Sequence, residues 1–258
     1  MKFDELDARL RVFETAADQW VLPRLFLVAR LDGRGFTRLT KETHAFAAPF
    51  DERFRDLMLA TAEHLMTASG FRFLYGYTES DEISLLFAPG EDKFGRKHRK
   101  LLSILSGEAS ARFSLLLGSV AVFDCRLSQL PTADLVVDYF RWRSEDAHRN
   151  ALNAHCYCLL RRQGANAAAA TARLERLSTA AKNELLFQEG VNFNNLPLWQ
   201  RRGVGLAWET YERPATNPRT GAATVAVRRR LRPLLELPMK EAYSEFLRCL
   251  LADSAVVC

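Results

Sequence analysis

Residues 71–87 of the chain read FRFLYGYTESDEISLLF, two apolar runs that are joined by a short acidic turn. Each run has the length of a strand and is rich in aromatic and branched residues, and a proline–glycine pair ends the second run. The pattern predicts a β-hairpin with Asp81 in its turn. An earlier apolar run at residues 25–29, LFLVA, leads into Asp32. We expect this run to lie beside the hairpin, so that the two aspartates meet at one end of a sheet.

The segments around the hairpin supply the rest of a small α+β domain. Helical spacing of apolar residues predicts a helix that begins after an Asp51 N-cap and ends at Gly70. A second helix is expected over residues 96–118, and a strand over residues 121–125. The resulting βαββαβ order is ferredoxin-like. Polymerase palms and nucleotide cyclases use this order, but the fold alone does not establish a function. We predict a palm-like catalytic domain over residues 1–133.

Residues 134–258 are expected to form an appended helical region and a C-terminal hairpin. The expected elements are a short strand at 135–137, helices at 139–162 and 167–190, and hairpin strands at 204–209 and 224–227. Prolines, a glycine and an asparagine mark the long tip of the hairpin. These tip residues are Pro214, Asn217, Pro218 and Gly221. The sequence contains no internal repeat. The boundary near residue 133 is placed where the predicted elements change from mixed strands and helices to mainly helices.

Composition indicates a globular protein of the cytoplasm. Hydrophobic residues make up 48% and charged residues 26% of the 258 residues, enough to bury a sizeable core. The chain has no run of roughly 18 apolar residues that would span a membrane, and its N-terminus is acidic and mixed, unlike a secretory signal. Five cysteines, an odd number, suit a reducing compartment. Cys156 and Cys158 lie near His148 and His155 but lack zinc-site spacing, so we interpret them as buried thiols.

Positive charge is clustered along the chain, which has a formal net charge of +5. Such clusters are either solvated faces or a binding surface for a polyanion, and several of them in one chain favour the polyanion. The clusters are Lys93, Arg96, Lys97, Arg99 and Lys100; Arg161 and Arg162; Arg201 and Arg202; and Arg228, Arg229, Arg230 and Arg232.

The aspartate pair has a direct chemical interpretation. Two carboxylates at neighbouring strand ends are able to hold two magnesium ions about 3.5–4 Å apart, which clamps the attacking and leaving oxygens of a phosphoryl transfer. Gly33 and Gly35 would let backbone groups approach phosphate closely, and a triphosphate would lie against the amides of residues 33–37. Each motif alone is also typical of an ordinary turn, and the chemistry alone fits cyclases and polymerases equally.

Five segments, in order, resemble the tRNA-histidine guanylyltransferase family. They are RLDGRGF (30–36), YGYTESDE (75–82), WRSEDAHRN (142–150), AKNELLF (181–187) and NFNN (192–195). The resemblance implies a palm-like enzyme that extends RNA in the 3′-to-5′ direction with magnesium. It implies tRNA, ATP, GTP and other nucleoside triphosphates as partners, and a homotetramer as the assembly.

The resemblance also assigns site residues. Asp32 and Asp81 would be catalytic and would ligate two Mg²⁺ ions, with help from the Gly33 carbonyl. Oxygen ligands of this kind suit magnesium. The nucleotide-binding residues implied by the motifs are Asp32, Gly33, Arg34, Gly35, Phe36, Thr37, Ser80, Asp81, His148, Asn150 and Lys182. For Glu82 two roles stay open, a support for the metal ligands or a plain hairpin charge.

Two departures from the family pattern bear on the substrate. Eukaryotic members continue HINNLYN where this chain reads HRNALNA at residues 148–154, and Ala48 replaces a lysine that usually precedes the proline aligned with Pro49. These changes favour template-dependent repair of 5′-truncated tRNA over guanylate addition to histidine tRNA, which stays as the alternative. A nucleotide cyclase and a non-catalytic RNA-binding module are rivals from other classes.

The first prediction concerns the aspartate pair. Asp32→Asn or Asp81→Asn removes a charge that the phosphoryl transfer requires, so each variant is expected to abolish nucleotide addition and leave the fold largely intact. Nucleotide incorporation into labelled RNA and a circular dichroism spectrum check both parts. Wild-type incorporation by either variant would show that the two-metal assignment is wrong.

Overall fold

The computed structural model describes residues 2–216, 219 and 221–255 of the chain. Asn217 and Pro218, which the sequence analysis placed at the hairpin tip, lie outside the described residues, as does Cys258.

One antiparallel sheet of six strands organises the described residues. The strands are β1 (Phe26–Gly33), β2 (Phe73–Glu79), β3 (Glu82–Phe87), β4 (Phe123–Leu130), β5 (Val204–Thr216) and β6 (Ala223–Leu234). Their order across the sheet is β4-β1-β3-β2-β5-β6. The first four strands of this order are the ferredoxin-like arrangement that the sequence predicts, and the predicted α+β palm-like fold is confirmed. The C-terminal hairpin extends the same sheet through the pairing of β5 with β2.

Helices cover both faces of this sheet. The α-helices are α1 (Phe3–Thr15), α2 (Phe36–Arg38), α3 (Glu52–Ala68), α4 (His98–Leu117), α5 (Ala133–Arg162), α6 (Ala167–Glu175), α7 (Thr179–Gln188), α8 (Leu198–Arg202) and α9 (Glu241–Ala255). A π-helical turn, Leu39–Thr43, follows α2, and two 3₁₀ turns span Lys93–Arg96 and Phe193–Asn195. The sequence analysis did not predict α1 and α9. Within the described ranges, no helix is long and apolar enough to cross a membrane.

Helix α3 forms where the sequence predicts it. Asp51 caps its first turn, because the carboxylate accepts a hydrogen bond of 2.7 Å from the backbone N–H of Arg53. Met58 and Leu65 are buried at helical spacing. The helix ends before Gly70, whose φ of +78° suits glycine.

Two apolar layers lie against the two faces of the sheet. On one face α3 and α4 pack on β1 and β3, and Leu31, Leu65 and Phe113 are among the buried residues of this layer. On the other face α5 and α9 pack on the sheet, with Phe140 and Tyr243 in the buried cluster. A third cluster lies between α5, α6 and α7, away from the sheet. Helix α5 therefore belongs to both the sheet layer and the outer helical region.

The predicted strand at residues 135–137 is wrong. These residues form the first turns of α5, which Thr132 caps by accepting a hydrogen bond of 3.3 Å from the backbone N–H of Leu135. Val136, Val137 and Phe140 are buried together, as expected for one face of a helix. A run of branched residues is typical of a strand, but the N-cap and the helical burial pattern outweigh that local preference here.

The other predicted elements need smaller corrections. The helix expected over residues 167–190 is two helices, α6 and α7, because Ser178 caps a new helix by accepting from the N–H of Ala181. The C-terminal hairpin is confirmed but is longer than expected, and Pro214 belongs to β5 rather than to the tip. Helix α5 begins at Ala133, and the division of the chain near residue 133 stays a prediction.

The connection from α8 to β5 generates the second prediction. Gly203 has a φ of +75°, and an added Cβ would lie 2.7 Å from the carbonyl oxygen of Thr78. Gly203→Ala combines a backbone at φ +75° and ψ −169°, a region that is essentially restricted to glycine and costs about 1–3 kcal/mol, with an overpacked contact, about 1–3 kcal/mol. We expect a loss of about 3 kcal/mol in the free energy of unfolding, measured by urea denaturation.

Gly190→Ala is the matched control. Gly190 has a φ of +77° but no atom within 4 Å of an added Cβ, so only the backbone strain of about 1–2 kcal/mol applies. Equal losses for the two variants would contradict the close contact at Gly203.

Candidate active site

The two predicted catalytic aspartates lie at the same end of the sheet. Asp32 is the penultimate residue of β1, and its register partner in β3 is Glu82. Asp81 is in the two-residue turn between β2 and β3. The backbone N–H of Gly33 donates a hydrogen bond of 3.0 Å to the carbonyl oxygen of Asp81. This bond holds the turn against the end of β1, so the prediction that the two residues meet follows from strand register.

Negative charge accumulates at this end of the sheet. Burial raises the pKa of Asp81, and the charge of Asp32 raises it further. Burial, helped by the charge of Glu82, raises the pKa of Glu79 to about 8. The hydroxyl of Ser80 donates to the Asp81 carboxylate at 3.2 Å. In the part of the chain that the structure describes, neither Asp32 nor Asp81 makes an ion pair, so their charges are left for a bound cation.

This arrangement fits magnesium. The ion takes oxygen ligands, and it is commonly bound through one or two carboxylates together with substrate phosphates and water. Asp32 and Asp81 supply two such carboxylates, and the Asp32 charge acts on Asp81. Among the described residues, no group of three or more His, Cys, Asp and Glu side chains is arranged to hold a metal by itself. The donor set therefore suits an ion that arrives with a nucleotide.

Glu82 is bound within the protein, which decides between its two predicted roles. Its carboxylate lies 3.2 Å from the guanidinium of Arg143 and 3.5 Å from that of Arg30. Burial raises its pKa, while the two arginines act in the opposite direction. Glu82 is therefore the anchor of an ion pair between β3 and α5 and supports the turn that carries Asp81.

Further contacts along α5 connect the ion pair between Glu82 and Arg143 to Asn150, a predicted nucleotide-binding residue. Arg143, only 4% exposed, also contacts Asp146 at 3.2 Å. The carboxylate of Asp146 accepts a hydrogen bond of 3.4 Å from the amide of Asn150. Arg143 and Asp146 belong to the family-like segment at residues 142–150, but the resemblance assigns them no role. No pattern in the sequence indicates that Arg143 reaches Glu82, because the pairing joins elements about 60 residues apart.

The glycine-rich turn after β1 is only partly available to a phosphate. The N–H groups of Gly33 and Arg34 are already bonded, the latter to the carbonyl of Val122 at 2.8 Å. Backbone N–H groups at residues 35–37 remain at the start of α2, where a helix leaves its first amides without internal partners. The prediction that a triphosphate lies against the amides of residues 33–37 is therefore corrected. Only the backbone N–H groups of residues 35–37 are available to it.

Phe36 and Gly33 have a structural relationship that the sequence analysis did not foresee. The Phe36 ring is buried and packs against Phe54, Phe113 and Phe123. An added Cβ at Gly33 would lie 2.6 Å from this ring. Glycine is therefore required at residue 33 by the core as well as by any ligand, and Phe36 is able to contribute only its backbone.

A cavity of about 630 Å³ adjoins the hairpin turn. Ser80, Asn150 and Lys182, three of the predicted nucleotide-binding residues, line it together with Lys41 and the Trp199 ring. Thr78 and Glu79 also line it, so the cavity adjoins the turn that carries Asp81. The structure thus brings residues from the hairpin, α5 and α7 to one concave surface.

Like Asp32, Asp81 and residues 33–37, His148 is a predicted site residue that does not line this cavity. Its ring is half-buried against Phe193, with ring centroids 5.2 Å apart, and it does not line the cavity. Burial lowers its pKa, and the charge of Arg202 adds to the effect. Cys156 is buried as expected, and burial raises its pKa to about 11, which keeps the thiol protonated.

The basic clusters are the least accurate part of the sequence analysis. Arg201 and Arg202 are buried, and Arg202 pairs with Glu145 at 2.8 Å. Arg96 donates to backbone carbonyls, and Lys97 and Arg99 pair with Asp18. These cations hold the protein together instead of facing a polyanion.

A palm-like sheet with a carboxylate pair beside a large cavity indicates a class, the palm enzymes that act on nucleoside triphosphates, which includes polymerases and cyclases. Comparison with known families makes the class specific. The tRNAHis guanylyltransferase family matches residues 7–131, and the Thg1 C terminal domain matches residues 134–234. The chain belongs to the tRNAHis guanylyltransferase family and is a nucleotidyltransferase.

Individual relatives agree with this assignment. A probable tRNA(His) guanylyltransferase from Drosophila melanogaster is 36% identical over 198 residues, which are 72% of this chain and 68% of that protein. A bacterial tRNA(His) guanylyltransferase-like protein in complex with ATP has the same fold, with a TM-score of 0.73 at 24% identity over 95% of this chain and 99% of that one. The Saccharomyces cerevisiae enzyme has a TM-score of 0.68 at 26% identity, covering 75% and 90% of the two chains.

The third prediction concerns the buried arginine. Arg143→Met leaves Glu82 and Asp146 without their shared cation, and removing one partner of a buried ion pair costs about 3–5 kcal/mol. We expect a loss of that size in the free energy of unfolding, measured by urea denaturation.

Arg149→Met is the control on the same helix. Arg149 also pairs with Asp146 but is 77% exposed, and an exposed pair contributes less than about 1 kcal/mol. A loss at Arg143 no larger than the loss at Arg149 would contradict the anchoring role.

Proposed function

We propose that the chain is a magnesium-dependent nucleotidyltransferase that adds nucleotides to the 5′ end of tRNA in the 3′-to-5′ direction. The observation that carries the proposal is the aspartate pair, two adjacent carboxylates whose charges no described cation neutralises, beside a cavity lined by Lys41 and Lys182. The carboxylates would bind the metal ions of a metal-bound triphosphate, and the two lysines would bind its phosphates.

The proposed reaction has two displacement steps. First, a 5′-phosphate oxygen of the RNA attacks the α-phosphorus of ATP, the bond to the β-phosphate breaks and pyrophosphate leaves. Then the 3′-hydroxyl of a nucleoside triphosphate loses its proton and attacks the activated 5′-phosphate, and AMP leaves. Both are in-line substitutions, in which positioning and charge stabilisation carry most of the catalysis.

Protein groups around the turn would position the reactants. When bound, two magnesium ions held by Asp32, Asp81 and the Gly33 carbonyl would stabilise the charge that develops on the phosphate oxygens. The free backbone N–H groups at residues 35–37 would donate to a triphosphate, and exposed Arg34 lies next to them. Ser80 would fix the orientation of the Asp81 carboxylate through its hydrogen bond.

The cavity would hold the nucleotide. Lys182 and Lys41 would attract its phosphates, and Asn150, which Asp146 orients, would bind its polar groups. Two bacterial relatives of the same fold are in complex with ATP and with GTP, which supports ATP, GTP and other nucleoside triphosphates as ligands here. His148 lies outside the cavity lining, and we assign it the indirect role of holding α5 against Phe193.

Template-dependent repair of 5′-truncated tRNA is the reaction that we propose. Ala48 lines the cavity where the family pattern has a lysine, and the segment after His148 departs from the eukaryotic pattern. A template base would choose the nucleotide, so less contact between protein and base is required. The names of the relatives favour a second candidate, guanylate addition to histidine tRNA.

Assembly and location are part of the same proposal. We propose a homotetramer, as the family resemblance implies, and a cytoplasmic location, as the composition indicates. Exposed apolar side chains on α1 and at the end of α4 support contacts between subunits. They include Phe3, Leu10, Phe13, Leu115 and Val120.

The fourth prediction compares the two candidate substrates. Labelled non-histidine tRNA lacking its first nucleotide and full-length histidine tRNA lacking the extra guanylate are each incubated with ATP, magnesium and one nucleoside triphosphate at a time. We expect incorporation on the truncated tRNA to equal or exceed that on histidine tRNA, with the nucleotide complementary to the opposite base. Chelation of magnesium should stop pyrophosphate release.

A truncated tRNA with a changed opposite base is the matched control, and the incorporated nucleotide should change with it. Guanylate addition to histidine tRNA alone, whatever the opposite base, would instead establish the second candidate. A cyclic nucleotide product without RNA, or tRNA binding without pyrophosphate release, would refute the proposed reaction.

A further inference from the structure

A second concave surface adjoins the candidate nucleotide cavity. This basic groove, of about 420 Å³, is lined by Lys41, Tyr157, Arg161 and Arg162 together with small apolar residues. Lys41 and Tyr157 also line the nucleotide cavity, so the two depressions are continuous. The groove lies at the C-terminal end of α5.

The cations of the groove are available to a ligand. Arg161, Arg162 and Lys41 are exposed, and in the described part of the chain none of them pairs with a carboxylate. Arg162 donates a hydrogen bond of 3.4 Å to the carbonyl of Ala48, which holds its guanidinium at the groove. Burial raises the pKa of the Cys158 thiol, and the charges of Arg162 and Lys41 act in the opposite direction. Both cations therefore lie near this residue, on the same side of α5.

Most members of the other basic clusters make contacts within the fold. Lys93, Lys100, Arg228 and Arg229 also lack a carboxylate partner among the described residues, but they line neither depression. The cations that the fold uses for its own contacts are Arg96, Lys97, Arg99, Arg201, Arg202, Arg230 and Arg232. Three unpaired cations around one depression repel each other in the free protein, and a bound polyanion removes that repulsion.

The floor of the groove is apolar. Ala48 and Ala167 contribute small side chains, and the Tyr157 ring supports the ammonium of Lys41, which lies 5.5 Å from the ring centroid. Cations at the rim and an aromatic ring on the floor are the combination with which proteins hold a single nucleic acid strand.

We propose that the basic groove binds the sugar–phosphate backbone of the RNA strand next to its 5′ end and leads that end into the nucleotide cavity. The inference rests on the proposed function, because it assigns the RNA path for that same site. Arg161 and Arg162 contact phosphodiesters outside the cavity, and Lys41 contacts the phosphate at the junction. A single nucleotide already has Lys182 and Ser80 inside the cavity, so cations further out serve a longer chain.

The fifth prediction uses the double variant Arg161→Gln with Arg162→Gln, since both residues line the groove and not the cavity. The dissociation constant for a 5′-monophosphorylated tRNA is measured at several salt concentrations, and that for ATP at one. We expect RNA affinity to fall about tenfold and the slope of log K against log salt to decrease by about one per lost phosphate contact. ATP affinity should change less than about twofold, because the lost contacts are phosphodiester contacts.

Two further variants separate charge from structure. Arg161→Lys with Arg162→Lys keeps the charge and should retain most of the affinity, whereas Arg9→Gln, which removes an exposed cation on α1, should leave RNA binding unchanged. Thermal melting checks that each variant folds. If the double glutamine variant melts early, Arg161→Gln alone is measured, since the Arg161 side chain makes no hydrogen bond within the described residues.

Different outcomes would overturn the groove and the proposed function. An unchanged RNA dissociation constant and salt slope, or an equal loss of ATP affinity, would refute the groove. Asp81→Asn should bind RNA with the wild-type slope while failing to add nucleotides. Nucleotide addition by Asp81→Asn would refute the proposed function and leave the binding result for the groove standing. Retained tRNA affinity together with lost binding of an acidic protein would mean that the groove serves a protein partner.

Discussion

The buried ion pair between Glu82 and Arg143 is the interaction on which the site depends. Glu82 begins β3, directly after the turn that carries Asp81, and Arg143 lies in the middle of α5. Burying both charges is costly, and the pair is compensated only because Arg30 and Asp146 complete it. The geometry that brings these four charged groups into contact fixes how α5 lies across the sheet. Residues of α5 reach the cavity beside the aspartate pair for that reason.

The ion pair between Glu82 and Arg143 leaves two groups of charges at the site, the aspartate pair and the lysines of the cavity. Glu82 is neutralised inside the protein, while Asp32 and Asp81 are not, so negative charge remains where a cation would bind. Lys41 and Lys182 line the cavity that adjoins the hairpin turn. Burial and the neighbouring Asp32 charge disfavour the ionised Asp81 carboxylate in the free protein, and a bound cation would remove that cost.

Prediction from sequence succeeded where the signal is local. The hairpin at residues 71–87, the Asp51 cap and the order of the palm elements follow from periodicity and turn chemistry, and the structure confirms them. It failed where a competing local signal was missed or where a long-range contact decides. Residues 135–137 look like a strand but are helical, because Thr132 caps them locally and the sheet buries one face of the helix. Arg201 and Arg202 look like a surface cluster, but the fold buries them.

The sequence by itself determined where the strands that carry Asp32 and Asp81 end, because apolar runs and turn residues are local signals. Only the tertiary structure decided what surrounds the two aspartates. It paired Glu82 with Arg143, reduced the phosphate-binding amides to residues 35–37 and left Arg161 and Arg162 without a carboxylate partner among the described residues. The physical reason is that burial and ion pairing depend on which residues, far apart in the sequence, become neighbours in the fold. The order of residues along the chain does not show which ones these are.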